Sequence, residues 1–295
     1  MMKISIIIRT FNEERYLNDL LKAISNQVMY DHIIETIIVD SGSNDKTLEI
    51  AKSFNCVIKK IHKSDFSFGK SLNLGCSASN GTILVFISGH CIPVNEFWLV
   101  NLINPILNKD VILTYGKQIG GDKSKFSELQ IFEKYFPIES SIPQKGFFCN
   151  NANAAILKSE WEKYKFDEDL TGLEDMYIAK KLHDTGLLLG YVSNAIVFHL
   201  HHENWGKIKN RYEREAIALQ KILPEVQISF IDLLRYIFLS ILYDINVSIQ
   251  QKYFFKKLPE IIYYRTAQYW GSYKGNHINR LISKKIKDQY FYPKQ

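Results

Sequence analysis

Residues 4–13 read ISIIIRTFNE, and the chain changes character half-way along them. Ile4-Ser5-Ile6-Ile7-Ile8 is a β-branched run, which is typical of a strand covered on both of its faces. The polar end of the stretch leads to Leu17, Leu20, Leu21 and Ile24, whose spacing predicts a helix with Asn12 as its cap. The stretch therefore predicts a buried strand, a polar turn and a helix, in that order.

The same order of strand, turn and helix recurs over the first 115 residues. Thr36–Val39 is a second apolar run, which ends at Asp40 and the turn 41–45 before a helical pattern over 46–54. Further strand-like and helical runs alternate over 57–61, 68–78, 83–87, 96–107 and 111–115. Strands and helices that alternate across short connections predict an α/β fold, with a mostly parallel central sheet and helices on both faces.

Polar segments follow three of the predicted strands, namely Thr10–Glu13, Asp40–Ser43 and Ser88–His90. In an open α/β sheet, ligands bind outside the carboxyl ends of the strands, so we expect these segments to line one crevice. Asp40, at the tip of its strand, can accept a hydrogen bond from the base or ribose of a nucleotide. A turn or helix-capping aspartate is the alternative interpretation.

The middle of the chain, about residues 118–175, is less regular, and the later part becomes helical. Gly172–Asp175 opens a helix that runs to Thr185, and Leu187–Val192 and Ala195–Phe198 read as two strands. Helical patterns follow over 204–223 and 228–249. We therefore expect an α/β domain over residues 1–223 and a helical, basic C-terminal extension over 224–295.

Positive charge is concentrated at the end of the chain. Residues 250–295 carry ten Lys and Arg against Glu260 and Asp288, a net charge of +8, whereas the whole chain carries +6. No nucleic-acid-binding signature accompanies this charge, so we expect an anionic membrane surface and no nucleic acid as a partner, with a solvated tail as the alternative.

The amphipathic pattern over 228–249 bears on the same question. Asp232, Arg235 and Asp244 interrupt it too often for a membrane-spanning helix. This segment either lies in a membrane interface or packs on the preceding domain.

We expect a cytoplasmic location, with the basic tail against the inner face of the cell membrane. The first residues lack the basic and apolar regions of a signal peptide, and no run of about 20 apolar residues predicts a spanning helix. The four cysteines are scattered without a C-x-x-C pair, which argues for a reducing compartment and against a disulfide framework or a thiolate zinc site.

Four segments in order, residues 5–13, 38–47, 68–75 and 172–175, resemble the family 2 glycosyltransferases with the GT-A fold. The third segment and the histidines at 199–202 are most similar to the bacterial rhamnosyltransferase-type members. The resemblance covers residues 3–215, so residues 1–223 are interpreted as a GT-A catalytic domain.

The resemblance implies an inverting glycosyltransferase in bacterial surface polysaccharide synthesis. It moves a hexosyl or deoxyhexosyl group from a nucleotide-sugar donor to a glycan or lipid-linked saccharide acceptor. Asp175 matches the general base of the family, with Glu174 beside it, and a carboxylate at a helix start can stay ionised. The residues that this resemblance assigns to the donor nucleotide are Thr10, Asn12, Glu13, Asp40, Ser43, Lys70, Asn73, Ser88 and His90.

The chain departs from the family pattern at Ser88-Gly89-His90, where members carry an Asp-x-Asp motif that holds Mg²⁺ or Mn²⁺ on the donor diphosphate. Three interpretations are open. His90 ligates a transition metal with His199, His201 or His202, because imidazole suits softer ions than Mg²⁺. Otherwise His90 binds the phosphate without a metal, or the site is inactive.

We favour retained activity, because Asp175 and the nucleotide segments match the family. The candidate cofactor is a divalent metal, Mn²⁺ or Mg²⁺, with His90 and His201 as ligands. The alternative interpretation of His201 is a structural histidine near a strand end. The alternative interpretation of Lys70 is an exposed lysine on a helix.

Two other classes of function are weighed against this one. A sugar-1-phosphate nucleotidylyltransferase needs a glycine-rich phosphate loop after the first strand, where this chain has Arg9-Thr10-Phe11-Asn12. A non-catalytic sugar-nucleotide or glycan-binding protein is favoured by Ser88-Gly89-His90 and opposed by Asp175.

Overall fold

The computed structural model describes residues 2–28, 32–201 and 203–278. These residues form two compact units. The first unit comprises the chain up to residue 124 together with 131–201, and the second comprises 125–130 together with the residues after 202. Of the predicted basic extension, residues 279–295 lie outside the described part of the chain.

One eight-stranded sheet organises the first unit, in the order β3-β2-β1-β4-β7-β6-β8-β5. Neighbouring strands are parallel from β3 to β4 and between β6 and β8, whereas β7 and β5 run antiparallel to their neighbours. The strands are β1 (Met2–Thr10), β2 (His32–Asp40), β3 (Val57–Lys60), β4 (Ile83–Ser88), β5 (Cys91–Pro93), β6 (Leu113–Ile119), β7 (Asn153–Leu157) and β8 (Leu189–His199). The predicted α/β class is confirmed.

Ten α-helices lie in the described residues, besides a 3₁₀ turn at Lys63–Asp65. They are α1 (Leu17–Ser25), α2 (Thr47–Ser53), α3 (Phe68–Ser77), α4 (Trp98–Leu107), α5 (Phe126–Tyr135), α6 (Lys158–Tyr164), α7 (Glu174–Asp184), α8 (Trp205–Ile222), α9 (Phe230–Gln250) and α10 (Phe254–Asn276).

Burial on both faces explains the β-branched run of β1. Ile4, Ile6 and Ile8 point into one core, which α1 and α4 cover, and Ile7 points into the other, which includes Leu72 of α3. Successive side chains of a strand alternate between the faces of a sheet, so a continuous apolar run is needed where both faces are covered.

The structure corrects three expectations about local structure. Asn12 does not cap the first helix, because α1 begins at Leu17 after Tyr16, and Asn12 takes a left-handed conformation with φ of 56°. The two strand-like runs after residue 186 form one strand, β8, whose register with β6 shifts between Gly116 and Gln118. The less regular middle of the chain contains α5, β7 and α6.

The second unit contains α8, α9 and α10. A capping box at Ser229 and Asp232 starts α9. Inside the unit, Arg265 of α10 donates two hydrogen bonds of 2.7 Å to the carboxylate of Asp244 of α9, which is fully buried. Across the described ranges, no helix is both long enough and apolar enough to cross a membrane.

Candidate functional site

The carboxyl ends of β1 and β2 meet at Thr10 and Asp40. The Thr10 hydroxyl donates to Asp40 Oδ2 over 3.1 Å, and the backbone amides of Gly42 and Ser43 donate to Oδ1 over 3.0 and 2.9 Å. The Ser43 hydroxyl donates to Oδ2 over 2.5 Å. Asp40 therefore closes the turn after β2, which is the alternative role that its sequence position suggested, and a contact between Asp40 and a nucleotide stays a prediction.

The loop after β1 is joined to the same turn. The Asn12 amide donates to Ser43 Oγ over 2.8 Å, and Asn12 Oδ1 accepts from the Asn44 amide over 2.9 Å. The Glu13 amide donates to Thr47 Oγ1 over 2.8 Å. Because of these bonds, the segments after β1 and β2 form one polar edge, as the order of strands and helices predicted.

His90 joins this edge through Glu13. Ser88 ends β4 next to Arg9 of β1, and His90 Nδ1 lies 2.9 Å from Glu13 Oε1. A Cβ atom on the intervening Gly89 would lie 2.9 Å from Glu13 Cγ and 3.2 Å from the Arg9 carbonyl oxygen, so this approach requires glycine. The structure therefore brings the third predicted segment to the first.

Three histidines cluster at this turn. The ring centroid of His90 lies 5.2 Å from that of His199 and 5.5 Å from that of His201, and the last two are 4.0 Å apart. One ligand atom from each ring lies within 4.8 Å of the others. His202, the remaining candidate, lies outside the described residues.

The orientation of the rings suits metal binding. Nδ1 of His90 is engaged by Glu13, and Nδ1 of His199 lies 2.7 Å from Gln118 Oε1, so Nε2 is the nitrogen that each would offer a metal. Ligating histidines characteristically have their second ring nitrogen held in this way. Imidazole ligands suit a transition ion, whereas Mg²⁺ prefers oxygen, so this donor set fits the first kind of ion and not the second.

The acidic pair begins α7 and is linked to β1. Arg9 Nη1 donates to Glu174 Oε1 over 3.2 Å, and its guanidinium lies over the Phe68 ring, 4.8 Å from the centroid. Asp175 is held by backbone amides: Asn151 donates to Oδ2 over 2.8 Å and Met176 to Oδ1 over 2.7 Å. The predicted base therefore has a fixed position near the end of β1.

Burial changes the acidity of this base. Desolvation, and then the neighbouring Glu174 charge, raise the pKa of Asp175 to about 7. From the helix start alone, we expected Asp175 to stay readily ionised. Its burial acts in the opposite direction and favours the protonated form. A carboxylate with a pKa near neutrality is well matched to proton abstraction at neutral pH.

A family model settles the class of the protein. The model described as glycosyl transferase family 2 matches residues 5–164, more than half of the chain. The chain belongs to glycosyl transferase family 2. The resemblance seen in the sequence is thereby confirmed, and this family 2 glycosyltransferase carries Ser88-Gly89-His90 between β4 and β5.

Relatives and solved structures agree with this membership. The chain is 27% identical over 213 residues to the O-antigen chain rhamnosyltransferase RfbN of Salmonella typhimurium, covering 68% of this chain and 67% of that protein. It is 26% identical over 178 residues to the rhamnosyltransferase WbaN of Salmonella anatum, covering 57% of this chain and 56% of that protein. The mannosyltransferase PcManGT of Pyrobaculum calidifontis, solved with GDP-Man and Mn²⁺, superposes with a TM-score of 0.58 at 15% identity, over 98% of this chain and 81% of that one. That likeness shows the fold, and the predicted GT-A architecture is confirmed.

Two of the predicted donor residues of this glycosyltransferase lie on α3. Lys70 is exposed, and Asn73 is buried beside it. Both line a cavity of about 390 Å³ with Lys60, His62 and Lys165.

The Asn73 amide is used within the protein. Its Nδ2 donates to the Phe166 carbonyl and its Oδ1 accepts from Trp161 Nε1, over 2.9 and 3.0 Å. Asn73 thus holds the segment after α6 in place.

Three residues that hold the candidate site together were not singled out from the sequence. Arg9 links β1 to Glu174, and its position directly before the polar turn could have identified it as part of the candidate site. Asn151 anchors Asp175, and no hydrogen-bond partner for its own side-chain nitrogen occurs among the described residues, although that nitrogen is buried. Gln118 orients His199, and nothing in its sequence surroundings pointed to this.

Proposed function

We propose that this protein is an inverting glycosyltransferase that acts in bacterial surface polysaccharide synthesis at the cytoplasmic face of the membrane. It transfers a sugar from a nucleotide-sugar donor to a hydroxyl of a glycan or lipid-linked saccharide. The observation that carries the proposal is the Arg9–Glu174 ion pair, because it joins the strand that ends at Thr10 to the helix start that bears Asp175. The names of RfbN and WbaN favour a deoxyhexose as the transferred sugar.

Asp175 is the general base of this reaction. It takes the proton of the acceptor hydroxyl while the oxygen attacks the anomeric carbon, and the nucleoside diphosphate leaves from the opposite face, which inverts the configuration. Two backbone amides hold the carboxylate, and Glu174 is held in turn by Arg9.

The donor nucleoside is held by the joined ends of β1 and β2. In this proposal Thr10, Asn12, Asp40 and Ser43 position the base and ribose. Their hydrogen bonds to one another preorganise the site, so little ordering is needed when the donor binds.

The donor diphosphate is held by Ser88, His90 and Lys70, and Asn73 supports Lys70 by fixing the segment beside it. Glu13 fixes the ring of His90. A divalent transition ion would be held by His90 and His201 with His199. When bound, it would neutralise charge on the departing diphosphate.

A second function, binding of a sugar nucleotide without transfer, is favoured by one observation only. Ser88-Gly89-His90 replaces the acidic metal motif of the family.

A panel of UDP-, GDP-, dTDP- and CMP-sugars separates the two functions. The full chain is tested for binding and for hydrolysis with Mg²⁺, with Mn²⁺ and with EDTA. We expect one class of donor to bind and to be hydrolysed slowly, with Mn²⁺ more effective than Mg²⁺. Binding of no donor would overturn the proposal, and binding without hydrolysis or transfer would support the non-catalytic function. Binding and turnover unchanged by EDTA would remove the metal from the proposal.

A further inference from the structure

The surface of the second unit is unusually apolar. Of the 26 large hydrophobic side chains that are exposed within the described residues, 15 lie between residues 230 and 278, and ten lie in the much longer stretch 2–201. Large contiguous apolar patches on a protein surface mark sites of interaction with another protein or with a membrane. The apolar surface of residues 230–278 therefore indicates an interaction with another molecule.

Five exposed apolar side chains of α9 lie on one side of the helix. Ile231, Leu234, Phe238, Leu242 and Ile249 recur at helical spacing and are 45–77% exposed; we call them the apolar stripe. Leu233, Asp244 and Ser248 are buried, so the side of α9 that packs within the unit is a different one. The stripe is thus not a core face of this unit.

An aromatic and basic turn continues the stripe. Residues 252–257 read KYFFKK, and we call them the aromatic–lysine turn. The Lys252 amide donates to the carbonyl of Ile249, the last stripe residue, over 3.0 Å. Within the turn, Phe255 is 92% exposed and Tyr253 is 52% exposed. Such side chains have no favourable contact in water and are typical of a membrane interface.

Most of the exposed charges beside the stripe are positive. Arg235, Lys252 and Lys256 are exposed. Of the two acidic groups of α9, Asp244 is buried and paired with Arg265, whereas Asp232 keeps its charge and bonds to Ser229 at the helix start. A surface that is apolar and positive complements an anionic bilayer, whereas two copies of it would bring like charges together.

We propose that the apolar stripe and the aromatic–lysine turn lie in the interface of an anionic bilayer, with α9 parallel to the membrane plane. The stripe enters the acyl boundary, the aromatic rings lie at the level of the headgroups, and the lysines extend to the lipid phosphates. The proposal concerns binding alone and holds whether or not the transfer reaction is confirmed.

Vesicle sedimentation of the full chain tests this surface. The vesicles contain either phosphatidylcholine alone or equal parts of phosphatidylcholine and phosphatidylglycerol. We expect binding to the anionic vesicles, weakened by salt, and little binding to the neutral ones. Lys252→Gln/Lys256→Gln should weaken binding about 25-fold, since each lysine near such a surface contributes about fivefold. Phe238→Ser/Phe255→Ser should weaken it about tenfold or more.

The matched control is Ile138→Ser/Lys145→Gln, which alters an exposed apolar residue and an exposed lysine of the first unit and should bind like the unaltered chain. Failure of the unaltered chain to bind anionic vesicles would overturn the proposal, as would equal binding by the stripe variant and the control. Sedimentation velocity tests the alternative that a second copy of the chain binds this surface. A dimer that Phe238→Ser/Phe255→Ser dissociates, with vesicle binding unchanged, would assign the surface to a second copy of the chain instead.

Discussion

In the first unit polar side chains converge on one edge of a sheet, whereas in the second unit apolar side chains cover the outside of a helix. Thr10 and Asp40 are buried and bonded to each other at the strand ends. In α9, by contrast, the only charged side chain that is fully buried among the described residues is Asp244, while Ile231 is 77% exposed. In our proposals, the first arrangement binds a polar ligand and the second binds a membrane surface.

Asp175→Asn tests the proposed general base of the first unit, where we expect the largest effect. A general base contributes about 10²- to 10⁴-fold to rate, so we expect transfer from the donor identified by the panel to fall by that amount. Donor binding should change little. Nucleoside diphosphate release measures the first quantity and calorimetry the second. Asp169→Asn, at an exposed position, is the control, and near-normal turnover by Asp175→Asn would refute the base assignment.

In the second unit, the buried ion pair between Asp244 and Arg265 is the contact whose loss should have the largest effect. Asp244→Asn leaves the Arg265 guanidinium buried without its counter-charge, which should lower the free energy of unfolding by about 3–5 kcal/mol in urea denaturation. Asp244→Leu/Arg265→Met removes both charges and should recover much of that loss. If the single and double variants were equally unstable, the charge of Asp244 would not be the cause.

The pH dependence of stability separates the catalytic from the structural role of Asp175. Its pKa rises from 3.8 to about 7 on folding, so the folded chain binds the proton more tightly and loses stability as pH rises from about 4 to 7. Asp175→Asn lacks this penalty and should be more stable than the unaltered chain at pH 8, by about 4 kcal/mol at most. Urea denaturation at pH 5 and pH 8 measures the difference, and a variant that gains nothing at pH 8 would contradict it.

Adjacent leucines test the two sides of α9. Leu233 is 2% exposed and Leu234 is 54% exposed. Leu233→Ala should cost about 2–4 kcal/mol of unfolding free energy, because it opens a cavity in the unit. Leu234→Ala should stay within about 0.5 kcal/mol, because it removes no internal contact. Equal costs would mean that the stripe is part of a core, and the comparison between the units would fail.

The smallest effect concerns the residue that orients His90. Glu13→Gln removes the carboxylate next to Nδ1 and should weaken Mn²⁺ binding about 10- to 100-fold, as losses of such supporting groups do. Calorimetric titration of the full chain with Mn²⁺ measures this. Glu14→Gln is the matched control, since Glu14 contacts the Lys46 amide instead. Equal affinities in the two variants would exclude His90 as an oriented ligand.

Much of the site could be predicted because it follows from chain order. Thr10 and Asp40 had to meet, since strands joined by helices across short connections are parallel and their carboxyl ends share an edge. Asn12 was wrongly expected to cap α1, because a polar residue before a helical pattern can also take a left-handed turn, and the choice here depends on its bond to Asn44. The raised pKa of Asp175 could not be predicted either, because it results from burial, which is a tertiary property.

The amino-acid order therefore determined most strands and helices of the first 115 residues, the α/β class and the polar strand ends, because these depend on the periodicity of apolar residues and on connections a few residues long. The contacts that complete the site join residues far apart in the chain, such as Arg9 with Glu174 and Gln118 with His199. The same holds for α9, whose sequence is amphipathic but does not show which face is buried. These were settled by packing, because a side chain's partner depends on which elements the folded chain brings beside it.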